Sequence, residues 1–397
     1  MEMTDRDEFV SKMEPLLIGE GARQWPELAD LVLVLNEKST GLRRSLPPEI
    51  INALASLVRS MNCYYSNLIE GHDTHPIDIE RALNEDFSTD PKQRDLQLEA
   101  KAHIAVQEWI DEGGLDGRTT RSEALLEVHE RFCERLPSEL LWVEHPATKK
   151  REQVIPGALR DSDVVVGRHV GISPGALPRF MARFEEAYSN LGKLNSILAV
   201  AAAHHRFLWI HPFLDGNGRV ARLMSHAMLR ETLDTGGLWS IARGLARNES
   251  DYKQHLSECD LPRRSDFDGH GELSEEALTE FTKFLLNICI DQVDFMEKLM
   301  QPERLRDRIM IWCEEEMRAG ALPPRSEKVL DVLTMRGKLE RGDVAELLGT
   351  SERSSQRVTK ALLDRAIIKS QSTRAPLHLA FSAQLASRWM PGLFPDQ

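Results

Sequence analysis

The chain lacks any long apolar run. Its most apolar stretches, such as residues 31–35 and 284–290, are interrupted well short of the roughly 20 residues that a membrane-spanning helix needs. No membrane partner is expected. It also lacks a cysteine framework. Cys63, Cys133, Cys259, Cys289 and Cys313 are scattered, odd in number and without metal-ligand spacing, so they read as reduced cytoplasmic residues. The start, Met1-Glu2-Met3-Thr4-Asp5, is acidic and has no apolar h-region, so no secretory signal is expected. Positive charge is short too. A net charge of −13 argues against non-specific nucleic-acid binding by the whole molecule. Alternating strand patterns of any length are missing from residues 7–113.

What is present is enough for substantial cores: 397 residues, 41% of them hydrophobic, in two or three domains. Residues 7–113 read as helices. Pro47-Pro48-Glu49 opens one with proline in its first turn, and Ile51, Leu54, Leu57, Val58 and Met61 form its apolar stripe. It runs into Tyr64-Tyr65-Ser66-Asn67-Leu68-Ile69-Glu70-Gly71. Ser66 and Glu70 are four apart and share one helical face, and Gly71 would end the helix. On spacing alone this is a polar helix end.

Helical patterns follow at 96–110 and 123–136. Pro137, Pro146 and Thr148-Lys149-Lys150-Arg151 then signal a loop. Two β-prone runs within 154–167 surround a turn with Gly157 and Asp161, which predicts a hairpin, with plain loop as the alternative. Helices are expected at 177–191 and 194–210. The second is strongly apolar, and its His204 and His205 read as structural.

Next comes His211-Pro212-Phe213-Leu214-Asp215-Gly216-Asn217-Gly218-Arg219-Val220-Ala221-Arg222. It holds a potential base, a carboxylate, a Gly-Asn-Gly turn and two arginines. Pro212 and the glycines break regular structure, so 211–218 should be a loop. Val220, Leu223, Met224, Ala227 and Met228 recur at helical spacing, so a helix starts near Arg219. The first turn of a helix carries free N–H groups and partial positive charge. Gly216 and Gly218 let the backbone approach a ligand closely. That combination makes an anion site. Without an anion, Arg219 and Arg222 would oppose the helix dipole by roughly a few tenths of a kcal/mol each; a phosphate reverses the sign. Asp215 suits Mg²⁺, which at phosphates takes one or two carboxylates plus waters. His211 is placed to take a proton from an attacking hydroxyl.

This stretch resembles the signature of the Fic family, His-Pro-Phe-x-Asp-Gly-Asn-Gly-Arg-x-x-Arg, at every defined position. The resemblance implies an all-α fold, a Fic helical core with a short β-hairpin flap. It implies transfer of AMP from ATP to a Ser, Thr or Tyr hydroxyl of a protein, with Mg²⁺. His211 would be the general base and Asp215 the Mg²⁺ ligand. Asn217 and the backbone of Gly216 and Gly218 would form the anion hole. Arg219 and Arg222 would contact phosphates, Arg222 nearest the γ-phosphate. Family members carry an inhibitory helix, Ser/Thr-x-x-x-Glu-Gly/Asn, which Ser66, Glu70 and Gly71 fit. Glu70 would then pair with Arg222, take the place of the γ-phosphate and leave the α-phosphorus misplaced. The hairpin near 154–167 would be the flap that registers a target segment by main-chain pairing.

In many relatives the segment after the signature helix reads Leu-Ser-Arg-Tyr. Here Ala242 and Gly244 replace Ser and Tyr, while Arg243, Asn248 and Tyr252 remain. Ala242, Arg243 and Tyr252 are candidate nucleotide contacts, and Arg206 a candidate contact to nucleotide or target. The departures leave the base contacts, and the preference for ATP over another nucleotide, open. Also open are self-modification, a homodimer, and removal of AMP by a water that Glu70 positions. Phosphotransfer fits less well, because the Gly-Asn-Gly turn makes room for a β-phosphate.

Beyond a polar stretch at 261–272, helices are expected at 275–300 and 303–318, and Pro323-Pro324 marks a boundary. Residues 342–351 and 354–364 read as helix, turn, helix. Ile367-Ile368-Lys369 and Leu377-His378-Leu379 could form a wing hairpin. The region resembles a winged helix, with Arg353, Arg357 and Lys360 on the helix that would meet DNA; a protein-interaction module is the alternative. Residues 336–374 hold nine Lys/Arg against five Asp/Glu, a net of +4 that leaves −17 for the remainder. The expected division is 1–113 (N-terminal helices with the inhibitory helix), 114–265 (Fic catalytic domain), 266–322 (helical linker) and 323–397 (winged-helix domain). The non-enzyme alternative is a transcriptional regulator whose Fic part only senses nucleotide.

Overall fold

The structure is a computed structural model that describes residues 4–144, 149–167, 169–233 and 235–395. Pro146 and Thr148, expected in a loop, lie outside the described residues, as do Met1, Glu2 and Met3. The fold is predominantly helical. An N-terminal layer holds α1 (Trp25–Arg44), α2 (Pro48–Ile69), α3 (Pro76–Leu83) and α4 (Pro91–Asp111). Then come α5 (Ser122–Cys133) and two separate hairpins. In these, β1 (Trp142–Glu144) pairs with β2 (Arg151–Gln153), and β3 (Val165–Val166) with β4 (His169–Val170), both antiparallel.

The expected single hairpin over 154–167 is therefore corrected. Its first β-prone run does not pair with its second. Val154 N–H bonds Leu141 O at 2.9 Å, and Val164 O accepts from Gly171 N–H at 3.0 Å. Each run finds its partner outside the segment, because Gly157 and Arg160 turn the chain inward instead.

The helices that carry the loop are α6 (Leu177–Tyr188), α7 (Lys193–Ile210) and α8 (Asn217–Leu233). Ala199, Ala201, Ala202 and Ala203 of α7 are all buried. Alanine favours helix and its small side chain lets α8 pack closely along α7. Next are α9 (Ile241–Arg247), α10 (Glu249–Cys259) and α11 (Glu275–Met300). α11 is no linker. It packs on α1, α7, α9 and α10, with Leu278, Phe281, Leu285, Cys289 and Val293 buried. An amphipathic pattern shows that a face is buried without showing against what; here the partners are helices on both sides of residue 266.

α12 (Pro302–Arg318) leads to a C-terminal unit. It contains α13 (Ser326–Arg336), α14 (Val344–Leu348), α15 (Glu352–Asp364), the antiparallel pair β5 (Ile368–Lys369) and β6 (His378–Leu379), and α16 (Ala383–Trp389). Gly349 turns the chain between α14 and α15 at φ 57°. The unit is tied to the N-terminal layer: Ala383 N–H bonds Glu80 Oε2 at 2.9 Å and Tyr65 Oη donates to Leu393 O at 3.2 Å. Among the described residues no helix is long and apolar enough to cross a membrane.

Candidate active site

The loop begins where α7 stops. His211 takes the left-handed conformation, φ 50° and ψ 62°, with its N–H on Phe207 O. Its Nδ1 lies 3.3 Å from Leu208 O. A carbonyl only accepts, so Nδ1 carries the proton and Nε2 keeps a lone pair. Burial, and then the nearby Arg160 charge, push the His211 pKa down to about 4 against the opposing Leu208 bond. The imidazole is neutral near neutral pH.

Asn217 braces the loop. Its Oδ1 accepts from Phe213 N–H at 3.0 Å and its Nδ2 donates to Phe213 O at 2.8 Å. The side chain expected in the anion hole is thus spent on shape, and the N–H groups at the start of α8 are what remains for an anion. Phe213 stacks on His129, with centroids 3.9 Å apart and planes 6° apart. His129 Nδ1 accepts from Gly157 N–H at 3.0 Å, and burial pushes its pKa down to about 4. Gly216 has φ +83°, and a Cβ there would come within 3.4 Å of the His129 ring. Asp215 stands exposed beside this turn.

The end expected to bind phosphate is occupied by side chains. Arg222 is 2% exposed. Its Nε donates to Ser66 Oγ at 2.8 Å, and its Nη2 to Ser66 O at 3.2 Å and Glu70 Oε1 at 2.5 Å. A methyl group on Gly218 would overlap the Glu70 carboxylate. That carboxylate therefore lies over the first turn of α8, where the anion site is expected. Burial would raise the Glu70 pKa, but Arg222, Arg219 and His72 outweigh it and hold it below its ordinary value. Gly71 ends α2 at φ +83°; its N–H bonds Leu68 O at 2.9 Å and His72 N–H bonds Asn67 O at 2.9 Å, a Schellman ending.

Arg219, also buried, lies 3.6 Å from Glu99 Oε1 and 5.0 Å over the Phe132 ring. Its Nε has no hydrogen-bond partner. Glu99 in turn bonds His72 at 2.6 Å. That bond, ahead of burial, raises the His72 pKa.

The other candidates are directed elsewhere. Arg206 is fully buried and donates through Nε and Nη2 to Pro15 O, at 3.2 and 2.9 Å. It ties the N-terminal segment to α7 and is not free for nucleotide or target. Tyr252 is buried, and its hydroxyl donates to His204 Nε2 at 2.7 Å. His204 Nδ1 then bonds Ser225 Oγ at 2.8 Å, and burial pushes the His204 pKa down to about 3. The Tyr252 hydroxyl faces Arg222. Arg243 donates to Gln292 Oε1 at 3.0 Å and Gly392 O at 2.8 Å, and lies 3.6 Å over Phe295. It anchors the C-terminal tail. Ala242 is completely buried.

Sequence reasoning missed Arg160, His129, Glu99 and His72. Each sits outside the twelve-residue stretch; Glu99 and His129 fall within the helical patterns at 96–110 and 123–136, but that periodicity does not mark them as site residues.

Residues 119–229, which run from the approach to α5 into α8, match the model of the Fic/DOC family, and this part of the chain is a Fic domain. Relatives named protein adenylyltransferase Fic are similar to it. The Drosophila willistoni protein is 27% identical over 214 residues, 51% of this chain and 40% of its own. The Drosophila grimshawi protein is 26% identical over 206 residues, 51% of this chain and 38% of its own. The chain thus spans about two fifths of the length of these relatives. Among solved structures, a Fic family protein from Desulfovibrio desulfuricans has a TM-score of 0.51 at 18% identity and covers 90% of this chain and 97% of its own. A Fic domain containing signaling protein from Bacteroides thetaiotaomicron has a TM-score of 0.52 at 21% identity, covering 68% and 96%. These two show the fold.

Proposed function

We propose that this protein transfers AMP from ATP to a Ser, Thr or Tyr hydroxyl of a protein, itself included, and that Glu70 restrains the reaction. One observation carries the proposal. A neutral imidazole with its Nε2 lone pair free stands at one end of a braced loop, and two buried arginines at a helix N-terminus stand at the other. His211 Nε2 takes the proton as the hydroxyl oxygen attacks the α-phosphorus, and pyrophosphate leaves. Arg219, Arg222 and the N–H groups of the first α8 turn bind the phosphates. Asp215 is the residue that would hold Mg²⁺. A single exposed carboxylate suits magnesium shared with phosphates, and no cluster of three or more His, Cys, Asp or Glu ligands exists among the described residues. The ion would supply charge neutralisation on the leaving group. The target segment would pair with the β3–β4 edge, where Val165, Val166 and Val170 are exposed.

With Glu70 over Gly218, the γ-phosphate would meet a carboxylate instead of Arg222. ATP would be held with its α-phosphorus displaced, and a shift of about 1 Å can cost roughly a hundredfold in rate. The test is incubation with ATP labelled at the α- or the γ-phosphate. Label retained on protein from α alone, and lost in His211→Ala, is the expected result. Retention from γ would mean phosphorylation. Glu70-dependent release of AMP from pre-modified protein would reassign the site to AMP removal.

A second reading concerns the C-terminal unit, which we read as a winged helix that meets DNA through α15. Arg353, Arg357 and Lys360 are exposed along one face of that helix. Salt-sensitive binding of the whole chain to duplex DNA, lost on changing these three residues to glutamate, is the expected outcome.

A further inference from the structure

Arg160 is 3% exposed and lies between the flap and the catalytic loop. Its Nε donates to His211 O at 2.8 Å, and its Nη2 to Ile172 O at 2.6 Å and Ile210 O at 3.4 Å. Its Nη1 donates to Ser162 O at 2.8 Å, and its own N–H to Pro212 O at 3.0 Å. Every acceptor is a backbone carbonyl. Burial pushes the Arg160 pKa down to about 10, so it stays charged. Burying a cation without a bonded carboxylate is costly, and filling space alone would favour an apolar side chain. What a guanidinium adds is a planar fork of five donors that fixes several acceptors at once.

The acceptors define the role. Ser162 and Ile172 bracket the β3–β4 hairpin and are its two feet. Ile210 and His211 are the end of α7 and the base itself. Carbonyls at a helix end have no partner inside the helix and carry partial negative charge, so a cation suits them. A second tether runs beside the first, from His169 Nε2 of β4 to Trp209 O at 2.7 Å. Gly171 leaves room for this packing, since a Cβ there would come within 2.9 Å of Arg160 Nη2.

We propose that Arg160 is a positioning residue that locks the His211 backbone to both feet of the flap. The hydroxyl held by the flap and the Nε2 that takes its proton then share one frame. The proposal rests on the AMP-transfer reading. It assigns Arg160 to the hydroxyl side of the reaction and not to ATP, because Arg160 bonds none of the groups at the phosphate end, where Arg222 is held by Ser66 and Glu70.

The test compares Glu70→Gly with Glu70→Gly/Arg160→Ala and Glu70→Gly/Arg160→Lys, following α-label transfer and ATP binding separately. The Ala variant is expected to lose roughly a hundredfold in kcat, the scale of a 1 Å misplacement, while ATP binding stays unchanged. His211 faces Arg160, His169 and Asp215. Loss of the Arg160 charge therefore raises the His211 pKa, and the acidic limb of kcat moves to higher pH in the Ala variant but not in Lys. Undiminished kcat, or a loss carried by ATP binding, would overturn the proposal. If the Ala variant does not fold, the Lys variant decides: it reaches fewer carbonyls and must show lower kcat at unchanged ATP binding. If Glu70→Gly alone retains no α-label, the AMP-transfer reading has failed instead.

Discussion

The two ends of the loop are held in opposite ways. At the base end, Arg160 binds only backbone carbonyls, and burial pushes the His211 pKa down to about 4. At the phosphate end, Arg222 is engaged by Ser66 and Glu70, and Arg219 sits beside Glu99. One end is built and ready; the other is filled by side chains from α2 and α4. On the proposed reading, a restraint at Glu70 would act on where the nucleotide lies and leave His211 alone. Substitutions should sort accordingly.

The largest expected effect is at the base end. His211→Ala should lower α-label transfer by roughly 10²–10⁴-fold, the usual range for a general base, with ATP binding retained in an equilibrium titration. A loss of binding of the same size would merge the two ends and break the comparison. Between the ends, Asn217→Ala removes two bonds to Phe213. It should cost about 2 kcal/mol of stability at about 1 kcal/mol per bond, read from denaturant unfolding, and should lower activity on both readouts. Ser66→Ala at the phosphate end frees Arg222 Nε and should raise transfer by up to about tenfold, given about 1.5 kcal/mol for a bond to a charged group.

The smallest expected effect is that of pH on the restraint. The Glu70 pKa is held below its ordinary 4.5, so the Glu70–Arg222 pair contributes fully above that value and is lost only as pH falls through the lowered one. The activity ratio of Glu70→Gly to wild type should therefore stay flat across neutral pH. A slope there, measured by α-label retention, would mean that a different titrating group controls the pair.

Much of this contrast is legible in the sequence, and unevenly so. Proline and glycine punctuation marks a loop after His211, because backbone freedom there is a local matter, but the loop ends at Gly216 and α8 already starts at Asn217, two residues before the expected start. The Ser66–Glu70 spacing is local as well, but only the family resemblance links it to Arg222, which lies 156 residues from Ser66. Arg160, His129 and Glu99 reach the site from separate segments through tertiary packing, and the helical periodicity around His129 and Glu99 does not single them out. Arg206, Arg243 and Tyr252 show the converse. Their residue types suited a nucleotide, but side-chain direction is set by neighbouring packing, and the neighbours proved to be Pro15, Gly392 and His204. The hairpin register failed for the same reason: β-propensity marks strands without naming their partners.

The most direct measurement is α-label retention by Glu70→Gly beside wild type, at saturating ATP and in the same buffer. Glu70 filling the phosphate end predicts a rise on the order of a hundredfold, with the label abolished when His211→Ala is added. Equal retention by the two proteins would contradict it, because the carboxylate over Gly218 would then place no limit on the nucleotide.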